Sequence, residues 1–229
     1  MKKRLFSAIM IFAFCQYYVY GQSSQSWVFL TYTQEISKKF DFLFDAQVRS
    51  NNPIKNTSAI LLRGAVAYKI NPKNFFALGY AYKGDWIEEE NGKEYTFENR
   101  IYEQYQHDFK WDKMEWSFRT RVEQRFLTED DTKFSIRGRA FLSVQYPLIA
   151  NIDFSEGFFI GIQNEIFLNL YKKENVNGHF FDQNRPYVSI GYRFNKKIET
   201  TFDYGLISNQ GPIERELENV YRISLTLNL

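Results

Sequence analysis

The sequence predicts an all-β fold: an antiparallel transmembrane β-barrel of about ten strands, with twelve also compatible, short turns at one rim and longer loops at the other. Three observations predict it. Apolar and polar residues alternate with period two in segment after segment. Aromatic residues reach 19% of the 229-residue chain while the mean hydropathy stays negative. A secretory leader precedes the first segment. An apolar outside around a polar lumen reconciles a composition rich in rings with a low overall hydropathy.

The leader comes first along the chain. Lys2, Lys3 and Arg4 precede an apolar stretch from Leu5 to Phe14, and Val19-Tyr20-Gly21 stands just before the polar run Gln22-Ser23-Ser24-Gln25. This is the pattern of a signal peptide over residues 1–21, cut after Gly21, with 22–229 left as one barrel domain. Its apolar stretch is too short for a transmembrane helix, and no later stretch reaches the roughly eighteen uncharged apolar residues that one needs. Cys15 is the single cysteine, and the bulky Phe14 before it disfavours lipid attachment there. The mature chain is therefore expected to have no disulfide and no thiolate metal site. Losing three basic residues takes Lys+Arg from 29 to 26 against 27 Asp+Glu, a net charge of −1 that gives no reason to expect a nucleic-acid partner.

The strand segments follow in order. Trp27 to Ile36 is the first. Phe40, Phe42, Phe44, Ala46 and Val48 then alternate with Asp41, Asp45, Gln47 and Arg49. Ile60, Leu62, Val66, Tyr68 and Ile70 oppose Arg63 and Lys69; Phe76, Leu78, Tyr80, Tyr82 and Trp86 oppose Lys83 and Asp85. The pattern is sharpest where Trp116, Phe118, Val122 and Phe126 alternate with Arg119, Arg121, Glu123 and Arg125, and where Phe134, Ile136, Ala140, Leu142 and Val144 alternate with Ser135, Arg137, Arg139, Ser143 and Gln145. The segment with Asn99, Tyr105, His107 and Phe109 on one parity and Glu98 and Arg100 on the other, together with Phe158 to Leu170, Pro186 to Phe194, Ile198 to Ile207 and Tyr221 to Leu229, completes the series. A tilted strand needs about nine to eleven residues to cross a bilayer, which suits these lengths.

Connections alternate between tight ones, Asn71 to Asn74, Trp111 to Lys113 and Asn195 to Lys197, and longer polar ones, Glu88 to Tyr95, Tyr171 to Asn184 and Ser208 to Glu218. In outer-membrane barrels the short turns face the periplasm and the long loops face outward. Bacterial single-chain barrels normally have even strand numbers. Ten segments from Phe40 onward satisfy that parity and leave Trp27 to Ile36 without a place. Rings gathered beside turns, such as Tyr68 with Phe75 and Phe109 with Trp111 and Trp116, fit interfacial girdles.

The order and spacing of several short motifs resemble a family of bacterial outer-membrane barrels known as domain of unknown function 2490. They are Trp27 followed by the Phe40 to Arg49 strand, Gly79-Tyr80, Glu98-Asn99-Arg100, Arg119 to Arg125 with its Glu123-Gln124-Arg125, Arg137-Gly138-Arg139, Pro147-Leu148, Asn164-Glu165, Asn184-Arg185 and Gly191-Tyr192. The similarity runs over nearly the whole mature chain. It implies a barrel in the outer membrane and carries no agreed activity. The chain ends on Leu229, where a common assembly signal ends on an aromatic, although alternation from Tyr221 to Leu229 keeps the rest of that pattern.

The candidate functional residues share the face expected to line the lumen: Glu98, Arg100, Arg119, Arg121, Glu123, Arg125, Arg137, Arg139, Glu165, Arg185 and Arg193. Successive strands are neighbours, so these side chains should form a cross-strand lattice on one wall. Paired Arg and Glu can fill a narrow interior through bidentate bonds. Eight arginines against three glutamates leave a cationic surplus, however, and such a surplus suits carboxylate, sulfate or phosphate groups of a small solute or a lipid headgroup. Ala65, Ala67, Ala77, Gly79 and Ala81 leave room inside, read first as volume matching for long arginines or the N-terminal segment and second as an aqueous path.

A lipid hydrolase would need serine and histidine within reach of each other. His107 has the outward parity of Tyr105 and Phe109, whereas Ser117, Ser135 and Ser143 have the inward one. His179 sits in a loop, two distant histidines make no metal site, and the acidic runs Glu88 to Glu90 and Glu129 to Asp131 read as solvated loop charge. No phosphate-binding glycine loop is present. The expectation is a non-enzymatic barrel of the outer membrane, without cofactor or metal, serving as a narrow channel for small anionic solutes or as a structural envelope protein. Its expected partners are outer-membrane lipid and, through the last strand, the outer-membrane assembly machinery. A soluble periplasmic ligand-binding barrel is the alternative from a different class, and the lipid-active hydrolase is a third.

Overall fold

Period-two alternation becomes strand because the pleat sends successive side chains to opposite faces, and only a closed sheet can keep one of those faces polar and the other apolar all the way round. The computed structural model describes residues 23–51, 56–89, 92–128 and 131–229. The expected leader, its cleavage point and Cys15 lie outside the described residues. Strands follow in the order β1 (Ser23–Ser37), β2 (Phe40–Asn51), β3 (Asn56–Asn71), β4 (Asn74–Glu89), β5 (Gly92–Trp111), β6 (Met114–Thr128), β7 (Thr132–Ala150), β8 (Gly157–Tyr171), β9 (Phe181–Asn184), β10 (Tyr187–Asn195), β11 (Ile198–Gln210) and β12 (Arg215–Asn228).

These strands form one closed barrel with eleven staves. From β1 to β8 each strand pairs antiparallel with the next, and β9 and β10 both lie between β8 and β11. Together they make a single stave interrupted at Arg185-Pro186, where proline has no amide to give the ladder. Reciprocal backbone bonds between Arg185 and Glu165, 2.9 and 3.3 Å, carry the pairing across the break.

The barrel closes by parallel pairing of β1 with β12, from Ser23↔Glu218 to Thr33↔Asn228. An odd number of alternating staves brings the first and last together pointing the same way, so the closure has to be parallel. The expectation of ten strands is thereby corrected: the segment from Trp27 to Ile36 is a full stave, held by β12 on one side and β2 on the other. At the lower end of the seam the Leu229 amide donates to the Thr33 carbonyl at 2.8 Å, and the Glu35 amide donates to the Leu229 carbonyl at 3.0 Å.

One rim carries the tight turns. Asn71 Oδ1 accepts from the Lys73 amide at 2.9 Å, and Asn195 Oδ1 accepts from the Lys197 amide at 2.8 Å and the Ile198 amide at 3.1 Å. These asparagines mimic a backbone turn and stop the strands. The opposite rim differs from expectation. The β4–β5 ladder continues to Glu89↔Gly92 and the β11–β12 ladder to Gln210↔Arg215, so most of the polar stretches 88–95 and 208–218 are paired strand rather than loop. The segment between Tyr171 and Asn184 contains a single 3-10 turn, Lys173–Asn175, before β9. It bends back over the barrel mouth, with Asn177 Nδ2 donating to the Gln210 carbonyl at 2.8 Å.

The outward face is apolar, with Val28, Leu78, Ile162 and Ile223 all more than half exposed. Paired rings border it at both rims. Near the turns stand Phe40 with Tyr68 and Phe109 with Trp116, at centroid separations of 5.4 and 6.0 Å; near the loops stand Trp86 with Tyr95 and Phe126 with Phe134, at 5.2 and 5.3 Å. Glu103 interrupts the apolar band, its carboxylate accepting from Gln124 Nε2 at 3.0 Å.

Candidate functional site in the lumen

Inward parity brings the eleven expected residues to the lumen, most of them onto the wall made by β5 to β8. Their strands supply the positions and their side chains meet across the ladder. Glu123 is the centre of the wall and is 1% exposed. Its Oε2 accepts from Arg137 Nε at 3.0 Å and Nη2 at 2.7 Å, and its Oε1 accepts from Arg139 Nη1 at 2.6 Å. Arg121 Nη1 stands 3.7 Å from the same carboxylate, while the Arg121 guanidinium donates to Gln104 Oε1. Arg139 links this node to Glu165, donating from Nε at 3.1 Å and Nη2 at 2.8 Å, and Arg119 Nη2 donates to Glu165 at 3.0 Å. Glu98 forms another buried node, accepting from Arg100 Nε at 2.8 Å and Nη2 at 2.7 Å and from Arg125 Nη2 at 3.1 Å.

Aromatic faces support these guanidinium groups from behind. Arg121 lies 4.1 Å over the Tyr102 ring, Arg119 4.4 Å over Phe141, and Arg139 4.6 Å over Phe167. Flat stacking keeps each planar fork in one orientation while its edge remains free to bond.

Two of the expected residues stand apart from that wall. Arg193 is at the turn rim, donating from Nη2 to Glu199 at 2.8 Å, to Glu115 at 2.9 Å and to Gln145 at 3.0 Å. Arg185 occupies the break between β9 and β10, toward the loop rim.

Sequence reasoning left several lumen residues out of the site. Arg49, Arg63, Lys83 and Arg222 are cations of the same face, and Asp45, Asp182 and Asp203 are counter-charges. Asp45 accepts from Arg63 Nε at 2.7 and 2.8 Å, Asp182 from Arg137 Nη1 at 2.9 Å, and Asp203 from Arg222 Nε at 2.9 Å. The alternation of β2 and β3 had already set Asp45 and Arg63 on the polar face. Asp182 at Arg137, and Glu115 and Glu199 at Arg193, narrow the surplus of eight arginines over three glutamates without removing it, while Asp203 answers the added Arg222. Arg49 and Arg185 donate to the amide oxygens of Gln47, at 3.0 Å, and Gln183, and among the described residues neither reaches a carboxylate.

The lumen holds a cavity of about 550 Å³, lined by Arg49, Arg63, Arg119, Arg185 and Arg222 together with Glu165 and Asp203. A second space of about 450 Å³ adjoins it at the loop rim, between Asn51, Trp86, Ile87 and Asn209. The turn rim is narrowed by a side chain. The turn from Asn151 to Glu156 folds under the barrel and seats Phe154, 5% exposed, against Phe159 at 5.8 Å, with the Arg193 guanidinium 4.0 Å over the Phe154 ring. Phe154 takes a left-handed backbone, φ 52°, an uncommon state for a bulky side chain that places its ring inward.

The expected room beside the small residues is filled. Ala65, Ala67, Ala77 and Ala81 pack in a dry cluster with Leu61 and Tyr102. A Cβ at Gly79 would overlap the Tyr102 ring. These small side chains match the volume of Tyr102, which in turn carries Arg121.

His107 and Ser135, weighed for a hydrolase, are engaged separately. On the outer face His107 Nδ1 shares a 2.7 Å contact with Asn74 Oδ1 and stacks on Phe109 at 5.2 Å. On the inner face the Ser135 hydroxyl donates to the Tyr171 carbonyl at 3.1 Å. Among the described residues no group of three or more His, Cys, Asp or Glu is arranged to hold a metal ion.

In chemical terms the site offers fixed, bidentate cationic donors around a cavity of about 550 Å³, the arrangement that recognises acceptor-rich anions. No curated protein and no solved structure matches the chain. A family model does match it, over residues 24–214 and so over most of the barrel, and the chain belongs to the family described as protein of unknown function (DUF2490).

Proposed function

We propose that this protein is an exported, non-enzymatic barrel of the bacterial outer membrane whose lumen admits small anionic solutes from the loop rim. The observation that carries the proposal is the residual positive charge inside. Arg49 and Arg185 border a cavity of about 550 Å³ with no carboxylate partner among the described residues. In a confined lumen uncompensated guanidinium groups attract anions and repel cations. The apolar outward belt with rings at both rims supports the membrane location, because a bilayer would cover those exposed side chains and seat the rings at its interfaces.

Planar-bilayer recording with the refolded mature chain tests this function. The expected result is current that prefers anions and whose selectivity falls in Arg49→Gln/Arg185→Gln. Cation-preferring current would refute it. A stably inserted but silent protein would favour the second reading, a structural envelope barrel, which the paired lattice at Glu98, Glu123 and Glu165 and the narrowing at Phe154 recommend. For location, heat-modifiable migration of the membrane fraction is expected on a detergent gel. Recovery of all the protein in the soluble periplasm would instead favour a soluble ligand-binding barrel.

A further inference from the structure

We propose that Arg49, Arg185 and Trp27 form a binding site for a phosphate group at the neck between the lumen cavity and the loop-rim space. This deepens the anion reading above and rests on it for the side from which the ligand arrives.

The neck is defined by the residues that border both spaces: Trp27, Arg49, Lys83, Gln183 and Arg185. Anything moving between the two must pass them. Lys83 is neutralised by Asp85 at 2.7 Å. Among the described residues the two arginines have neutral amide partners only, and the Nε of each is enclosed with no hydrogen-bond partner. Two donors therefore remain unused on two uncompensated cations.

Both cations are held in place before a ligand arrives. Their guanidinium carbons lie over the same indole, Arg49 at 4.0 Å and Arg185 at 5.5 Å from the ring centroid of Trp27. Trp27 is 4% exposed, packs with Tyr187, Ile207 and Val220, and donates from Nε1 to Gln25 Oε1 at 2.8 Å, which fixes the ring. Bringing two like charges to one ring costs free energy, and the Gln oxygens return only part of it. A single group with several acceptor oxygens and close to two negative charges would offset the remainder.

Phosphate fits that description, with a charge of about −1.5 to −2 at neutral pH and oxygens that take guanidinium forks in pairs. A carboxylate supplies one charge and would leave the pair half compensated. The space above the neck, bordered by Trp86, Ile87 and Asn209, could take the organic part of a phosphate ester.

Isothermal titration on the full mature chain, refolded in non-ionic detergent at low salt, tests the site with two probes, inorganic phosphate and glycerol 3-phosphate. Saturable one-site binding is expected. Its affinity should fall about tenfold or more in Arg49→Gln/Arg185→Gln, decline with added sodium chloride, and be unchanged in the exposed rim variant Lys110→Gln. Phosphate should also shift tryptophan emission in the wild type and leave Trp27→Phe unaffected, a readout that holds even if the double variant fails to refold. Tighter binding of glycerol 3-phosphate would identify an ester as the ligand; equal binding would identify free phosphate. Absence of saturable binding, equal affinity in the refolded double variant, or equal binding of neutral glycerol would overturn the site. Because binding in detergent needs no conduction, a silent barrel that binds phosphate would refute the channel alone. An anion-conducting barrel without saturable binding would refute the site alone.

Discussion

Glu123→Gln is the substitution that should cost this barrel most for the fewest atoms changed. The carboxylate is 1% exposed and takes three arginine N–H groups at 3.0, 2.7 and 2.6 Å, with a third guanidinium 3.7 Å away. Removing one partner of a buried ion pair costs about 3–5 kcal/mol, because the abandoned charge stays buried. Here Arg137 keeps Asp182 and Arg139 keeps Glu165, while Arg121 is left with the amide oxygen of Gln104. The glutamine oxygen can still accept from one arginine, so the lower end of the range applies, about 3 kcal/mol or on the order of a hundredfold in the folding constant. Urea unfolding of the lipid-reconstituted barrel, followed by tryptophan emission and by gel migration, measures it. Glu115→Gln is the matched control, with a side chain 23% exposed at the rim and an expected loss below about 1 kcal/mol. Adding Arg121→Met to Glu123→Gln should recover much of the loss, since the stranded charge and the missing counter-charge then leave together while Asp182 keeps Arg137. A Glu123→Gln protein within about 0.5 kcal/mol of wild type, or no less stable than Glu115→Gln, would refute the view that buried counter-charge organises this wall.

Other outcomes follow from the geometry. Gly79→Ala should destabilise by about 1–3 kcal/mol through overlap with Tyr102, and Tyr102→Leu in the same chain should relieve it; additive losses in urea unfolding would contradict the volume match. Phe154→Gly should increase single-channel conductance, because it removes the ring that narrows the turn rim at a backbone position glycine adopts readily; unchanged conductance would place the resistance elsewhere. At that same turn, hydrogen bonds from the Lys196 ammonium and the Ser155 hydroxyl hold the Asp153 carboxyl down from its usual 3.8 to about 2. A lowered folded-state value stabilises the turn above the usual value and is lost as pH falls through the lowered one. Protection of the 151–156 amides from hydrogen exchange should thus hold from neutrality to about pH 4 and decline toward pH 2, and Lys196→Gln should move that decline upward.

The faces of this barrel were legible because each strand records its own alternation. Asp45 and Arg63 read as inward before any pairing was known, and so did the lattice from Glu98 to Glu165. Closure was not legible in the same way. All eleven segments can be counted along the chain, but whether Trp27 to Ile36 belongs to the wall depends on contacts with Arg222 and its neighbours almost two hundred positions away. The general preference for even strand numbers pointed the wrong way there. Loop lengths misled for a related reason: polar residues at 88–95 and 208–218 mark where strands rise clear of an apolar belt, not where pairing stops. At the site, sequence supplied the arginines but not their balance. Asp182 sits in a stretch read as loop and Asp203 in a strand outside the expected wall, and each turned out to be a counter-ion. The two arginines left over, Arg49 and Arg185, come from distant staves and meet only over Trp27.

The parallel seam also gives the molecule a sidedness that an even-staved barrel lacks. Because β1 descends from the loop rim and β12 descends beside it, the chain joins the wall at Ser23 on one rim and leaves at Asn228 on the other. An even-staved barrel returns both of its ends to one compartment. Here a peptide epitope fused ahead of Ser23 and another fused after Leu229 would be separated by the full height of the wall. In a cell that inserts the barrel loops outward, an antibody applied from outside should reach the first and miss the second. In such a cell both strands of the seam would have to cross in the same direction for the wall to close.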